Sequence, residues 1–108
     1  MSQLVEMPIS WSTDDAPHFE YMRSGNAIRP GLMNAGLVLE NWVADFTYMK
    51  KAVEWGVLTF TCHPYISGRG HRIKMLEQLI RKLKEQGAVF QRVDQTVEEF
   101  QRRVAAAA

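Results

Sequence analysis

The stretch from Val57 to Gly87 constrains this chain more than any other. A short apolar run, Val57 to Thr61, breaks at Cys62-His63-Pro64 and a glycine-flanked basic turn. From about Gly70 to Gln86, the apolar residues Ile73, Leu76, Leu79, Ile80 and Leu83 then recur with the period of a helix, and Gly87 stands where a helix-ending glycine belongs. Strand, turn and helix in that order predict a β–α unit.

The flanking sequence continues the alternation. Leu4 to Trp11 carries Val5, Met7, Ile9 and Trp11 on alternate positions and predicts a first strand, with Pro8 pointing to an edge or a bulge. Ser12 to Gly36, interrupted by Pro17, Gly25, Pro30 and Gly31, predicts a long irregular loop. Leu39 to Trp55 sets Leu39, Trp42, Val43, Phe46 and Val53 near one helical stripe, which Gly56 ends. Ala88 to Val93 predicts a third strand. Thr96 and Glu99 have capping-box spacing and predict a last helix with Val97, Phe100 and Val104 on its apolar face. The sum is an α/β chain of about three parallel strands and three helices, a single domain over residues 1–108, with 46% apolar residues to form its core. Three such strands leave an edge and part of a face bare, so the chain is expected either to pair with something or to be a piece of a larger barrel or sheet.

Thirteen Lys and Arg against twelve Asp and Glu leave a net charge of +1, which gathers neither nucleic acid nor an anionic membrane. Cys62 is the single cysteine, so no disulfide and no cysteine-pair zinc motif can form within the chain. With no leader-like N-terminus and no apolar run of membrane-spanning length, a cytoplasmic location is the expectation.

Groups that carry chemistry in α/β folds gather at the carboxyl ends of the strands. His63 lies at such a tip, where an imidazole can give or take a proton near neutral pH. The alternative is that it only caps the strand through a backbone hydrogen bond. Asp14 and Asp15 follow Trp11 on the other strand-end loop. One of them could hold the His63 ring, although a double Asp before Ala-Pro also suits turn and cap chemistry. Trp11 and Tyr65 stand near the same end by placement. Arg69 and Arg72 flank a helix start that could bind a small anion or sugar, or form a plain basic turn. Cys62 points away from His63 if the strand is regular and makes a poor nucleophile beside it. The three histidines lack the spacing of a metal-binding motif.

Three stretches, "PISWSTDDAPHFEYMR", "LENWVADFTYMKKAVEWGVLTFTCHPYISGRGHRIKMLEQLIRKLKEQGAVF" and "VEEFQRR", together resemble the C-terminal part of the polysaccharide deacetylase family, in its peptidoglycan deacetylase-like and allantoinase-like branch. The resemblance implies the last third of a distorted (β/α) barrel and hydrolysis of a non-peptide carbon–nitrogen bond, in an N-acetyl sugar or a cyclic amide. It implies His63 as general acid, Asp14 or Asp15 as its orienting carboxylate, and Trp11 and Tyr65 lining the substrate cleft; Arg69 is a substrate-binding candidate only by its place at the helix start. Family members take a catalytic aspartate and a divalent metal such as zinc, held by an Asp and two His, from motifs near the beginning of the barrel; this chain has no counterpart to them. The expected partners are therefore a missing N-terminal barrel half or a second copy of the chain, with Phe19 and Tyr21 of the loop in subunit contact. The isolated chain is expected to be inactive. A non-catalytic self-association domain is the alternative.

Overall fold

A computed structural model describes residues 4–20, 22–29 and 31–107, with the backbone alone for 22–24, 28 and 29. Its elements are a 3₁₀ turn at Trp11–Thr13, helix α1 (Asp15–Phe19), strands β1 (Met22–Ser24) and β2 (Ala27–Arg29), and helices α2 (Ala35–Ala52), α3 (Pro64–Ser67), α4 (Gly70–Glu85) and α5 (Val93–Ala107).

This architecture corrects the expectation of an α/β partial barrel with three strands, because the chain is mostly helical. Among the described residues the only sheet is the hairpin β1–β2, antiparallel with Met22 opposite Arg29, inside the segment expected to be irregular. Gly25 turns it with a positive φ of 59°. The three expected strands run without ladders: Leu4 to Ser10, Val57 to Phe60 and Ala88 to Arg92 belong to no sheet, and Thr61 meets Asp14 at one isolated parallel bridge. The physical reason is that β-branched and aromatic composition records a fit to a pleated, half-buried surface rather than a backbone preference. Without neighbouring strands to take up the backbone donors and acceptors, the same residues stay extended and unpaired.

The helices are set by their ends. Asn34 caps α2, its side-chain oxygen accepting from the amides of Gly36 and Leu37, so the helix starts four residues before the expected Leu39. It stops at Ala52, leaving Val53 outside the stripe. Helix α4 ends as expected: Ala88 N–H donates to Leu83 O (3.0 Å), Gly87 N–H donates to Lys84 O (2.9 Å), and Gly87 takes φ 89°. Helix α5 begins three residues before Thr96. Instead of a Thr96–Glu99 box, Gln95 Oε1 accepts from Arg92 N–H (3.1 Å), and Glu99 pairs with Arg102 and Arg103.

Helix α2 packs against α4, and the core between them and α1 is Phe19, Val38, Leu39, Trp42, Ile66, Met75, Leu79 and Leu83. In α4 the buried line is Arg72, Met75, Leu79 and Leu83; Leu79 and Leu83 belong to the expected stripe and Leu76 packs against the core, whereas Ile73 and Ile80 are exposed and Arg72 and Met75 take the inner face at the start of the helix. No helix among the described residues is long and apolar enough to cross a membrane.

Candidate functional site

The single parallel bridge is the frame of the site. Thr61 N–H donates to Thr13 O (2.9 Å), Asp15 N–H donates to Thr61 O (2.9 Å), and the Thr13 hydroxyl donates to Thr59 O (2.7 Å). These bonds hold the entry to α1 beside the segment that leads into His63. A second pin comes from the helical layer: Trp42 Nε1–H (2.7 Å) and the His18 Nε2–H (2.8 Å) both donate to Ser12 O.

The two aspartates divide the work. Asp14 is the N-cap of α1, its Oδ1 accepting from Ala16 N–H (2.9 Å). Asp15, one residue on, is fully buried and turned toward the other segment. Its Oδ1 lies 2.6 Å from His63 Nδ1, and its Oδ2 accepts from His63 N–H (2.7 Å) and from the Ser67 hydroxyl (2.7 Å). The helix cap thus falls to Asp14 and the contact with the His63 ring to Asp15. An ionised carboxylate only accepts, so His63 Nδ1 carries the proton and Nε2 is left for solvent or substrate.

His63 is the N-cap of α3, and Pro64 starts that helix at a position whose missing N–H costs nothing. The i, i+4 spacing from His63 to Ser67 brings both over the same carboxylate. The Asp15 hydrogen bond, aided by the charges of Asp15 and Asp14, raises the His63 pKa above the ordinary 6.5 against a smaller opposing effect of lost hydration. For Asp15, loss of hydration pushes upward, but the bonds from the His63 ring, the His63 amide and Ser67 outweigh it and hold the carboxyl below the ordinary 3.8. Each partner thus favours the charged form of the other, the carboxylate stabilising the protonated ring and the ring the ionised carboxyl.

The remaining expected residues are spread around this pair. Tyr65 is exposed and meets the His63 ring edge-on, centroids 6.1 Å apart. Trp11 lies exposed in the 3₁₀ turn, and among the described residues it forms no ring pair with His63. Arg69 is exposed at the N-cap of α4, but Arg72 does not join it at the surface. It is buried, donating to Ile66 O and Phe19 O, which corrects the expected convergence of the two arginines on an anion. Cys62 is exposed beside His63. Lost hydration, then the charges of Asp15 and Asp14, push its thiol pKa up, the wrong direction for a nucleophile. Ser67 escaped the sequence reading, although its spacing from His63 after Pro64 was the available signal.

Asp14, Asp15 and His63 place one ligand-type atom each within 4.8 Å of one another. The donor set nevertheless does not fit a zinc ion. Both Asp15 oxygens are committed to three hydrogen bonds, Asp14 Oδ1 caps a helix, and His63 Nδ1 faces Asp15 with its proton.

Comparison with known proteins gives one distant likeness. The chain is similar to a peptidoglycan deacetylase from Helicobacter pylori, 25% identical over 104 residues, which covers 94% of this chain and 35% of that protein. No protein-family model matches, and no solved structure matches. The chain spans about a third of the length of the curated relative it matches, which supports a partial, deacetylase-like relationship.

Proposed function

We propose that this chain supplies the proton-transfer part of an amide hydrolysis of the deacetylase type, acting on an N-acetylated sugar such as those of peptidoglycan. His63 is the general acid: its Nε2–H protonates the nitrogen that leaves as the carbon–nitrogen bond breaks. Asp15 fixes the ring and its tautomer, and stabilises the imidazolium until the proton is given. Tyr65, edge-on to the ring and exposed, is placed to line the substrate side. The observation that carries the proposal is the 2.6 Å contact between the His63 ring and a fully buried carboxylate, in a chain similar to a peptidoglycan deacetylase.

Asp15 is committed to the pair, and Asp14 gives its Oδ1 to the cap of α1. In this proposal the nucleophile comes from outside the chain. An external nucleophile tests the remaining half. Hydroxylamine attacks the acetyl carbon of a chitooligosaccharide, the amine leaves with the proton from His63, and acetohydroxamate is released. Without hydroxylamine the 108-residue chain is expected to release no acetate above background. With it, His63→Ala is expected to slow hydroxamate formation by about 100-fold, the lower range of general acid catalysis. Equal rates for the unaltered chain and His63→Ala would overturn the proposal.

A further inference from the structure

Arg72 is buried in α4 and has no carboxylate as its partner among the described residues. Its Nη1–H donates to Ile66 O (2.9 Å), its Nη2–H donates to Phe19 O (3.3 Å), and its guanidinium carbon lies 4.7 Å from the centroid of the Phe19 ring. Nε has no hydrogen-bond partner among the described residues. Burying a charge in this way is costly, and an apolar side chain of similar volume would often stabilise a core better. The arrangement asks for another reason.

The two carbonyls supply it. Phe19 is the last residue of α1, whose first residue is Asp15, and Ile66 belongs to α3, whose N-cap is His63. Helices of five and four residues do not hold themselves in water. A cation at their C-terminal carbonyls is favoured by both helix dipoles, and the planar fork of Arg can donate to two acceptors at once where a Lys ammonium is only a point charge. All three hydrogen bonds to Asp15 cross from α1 to the His63–Ser67 segment. A slip of one helix against the other breaks them together.

We propose that Arg72 is a positioning residue for the Asp15–His63 pair, its guanidinium tying the C-terminal end of α1 to α3 and so setting the separation of the two side chains. What the pair does chemically rests on the function proposed above. Its geometry does not, and the test reads geometry.

The experiment is an NMR titration of the His63 imidazole, with the Nδ1–H resonance observed directly, in the full chain and in Arg72→Met, Arg72→Lys and Leu79→Ala. The last serves as a control for lost stability, since Leu79 is a core residue of α4 whose aliphatic side chain cannot donate to either carbonyl. Arg72→Met is expected to move the His63 midpoint down toward 6.5 and to broaden the Nδ1–H signal away. Arg72→Lys is expected to shift it in the same direction while helical content by circular dichroism is kept, and Leu79→Ala is expected to leave it in place. Should Arg72→Met lose its helical signal, Arg72→Lys decides. A folded Arg72→Lys chain whose His63 titrates as in the unaltered chain overturns the proposal, and so does an equal shift in Leu79→Ala. Hydroxamate formation separates the two ideas: its absence in every chain, alongside a shifted titration, sinks the function and leaves the positioning role standing.

Discussion

At the scale of single residues, the site rests on Asp15 rather than on the histidine that drew attention first. Removing its carboxyl in Asp15→Ala orphans the Ser67 hydroxyl and the His63 amide. It is expected to cost on the order of 2 kcal/mol in urea denaturation, with helical content otherwise retained. The pair also sets a pH window. Asp15 has a lowered pKa, so its contribution is present above 3.8 and fades as pH falls through the lowered value. His63 has a raised pKa, so its contribution is present below 6.5 and fades as pH rises through the raised value. The stability difference between the unaltered chain and Asp15→Asn is therefore expected to be largest between pH 3.8 and 6.5 and to shrink on both sides. A difference that keeps growing above pH 8 in denaturation curves would contradict this. His63 was legible because an apolar run ends abruptly on it. The choice between Asp14 and Asp15 was not, since neighbours in sequence diverge only once α1 begins between them. Arg72 was misread for a related reason: a basic residue near a helix start looks like surface until the rotation of the helix is known.

At the scale of elements, the short helix α3 carries the heaviest constraint. A Cβ on Gly68 would lie 2.2 Å from Pro64 O, whereas a Cβ on Gly70 would meet nothing within 4 Å. Gly68→Ala is expected to unwind the end of α3, lift Ser67 from Asp15 and lower the thermal midpoint. Gly70→Ala is expected to change the stability by no more than about 0.5 kcal/mol, as surface changes do, and so to leave the midpoint nearly in place. Similar midpoints for the two variants would show that α3 does not hold the site. Helix α4 could be read from its sequence because both its period and its terminating glycine are local signals. The starts of α2 and α5 depend on the side chains of Asn34 and Gln95 reaching backbone amides, which a pattern of apolar residues does not reveal. The strands failed for a non-local reason: a ladder requires a partner, and Val57 to Thr61 finds one bridge.

At the scale of the whole molecule, the radius of gyration of 16.2 Å exceeds the roughly 13 Å of a compact domain of this length. The excess agrees with the surface. Ile9, Val89, Phe90 and Val93 are exposed, and a groove of about 910 Å³ runs between the unpaired segments and the helices, lined by Met7, Val57, Leu58 and Phe90 among others. Exposed apolar side chains along a groove of this kind form a binding place for a hydrophobic dye. The unaltered chain is expected to enhance the fluorescence of the dye ANS, and the double change Val89→Lys, Phe90→Glu to cut that enhancement at least twofold without loss of helical signal. No change in the double variant would place the dye elsewhere. The bare edge expected from the sequence belonged to a three-stranded sheet that did not form, so the groove between unpaired segments is a different feature.

The pairing of Asp15 with His63 is read most directly in the ionisation of His63. Imidazole resonances followed against pH in the unaltered chain and in Asp15→Asn measure it. The expected result is a His63 midpoint above 6.5 with Nδ1 protonated in the neutral form, falling in Asp15→Asn. A midpoint at or below 6.5, or one that Asp15→Asn leaves unchanged, would contradict the pairing on which the site is built.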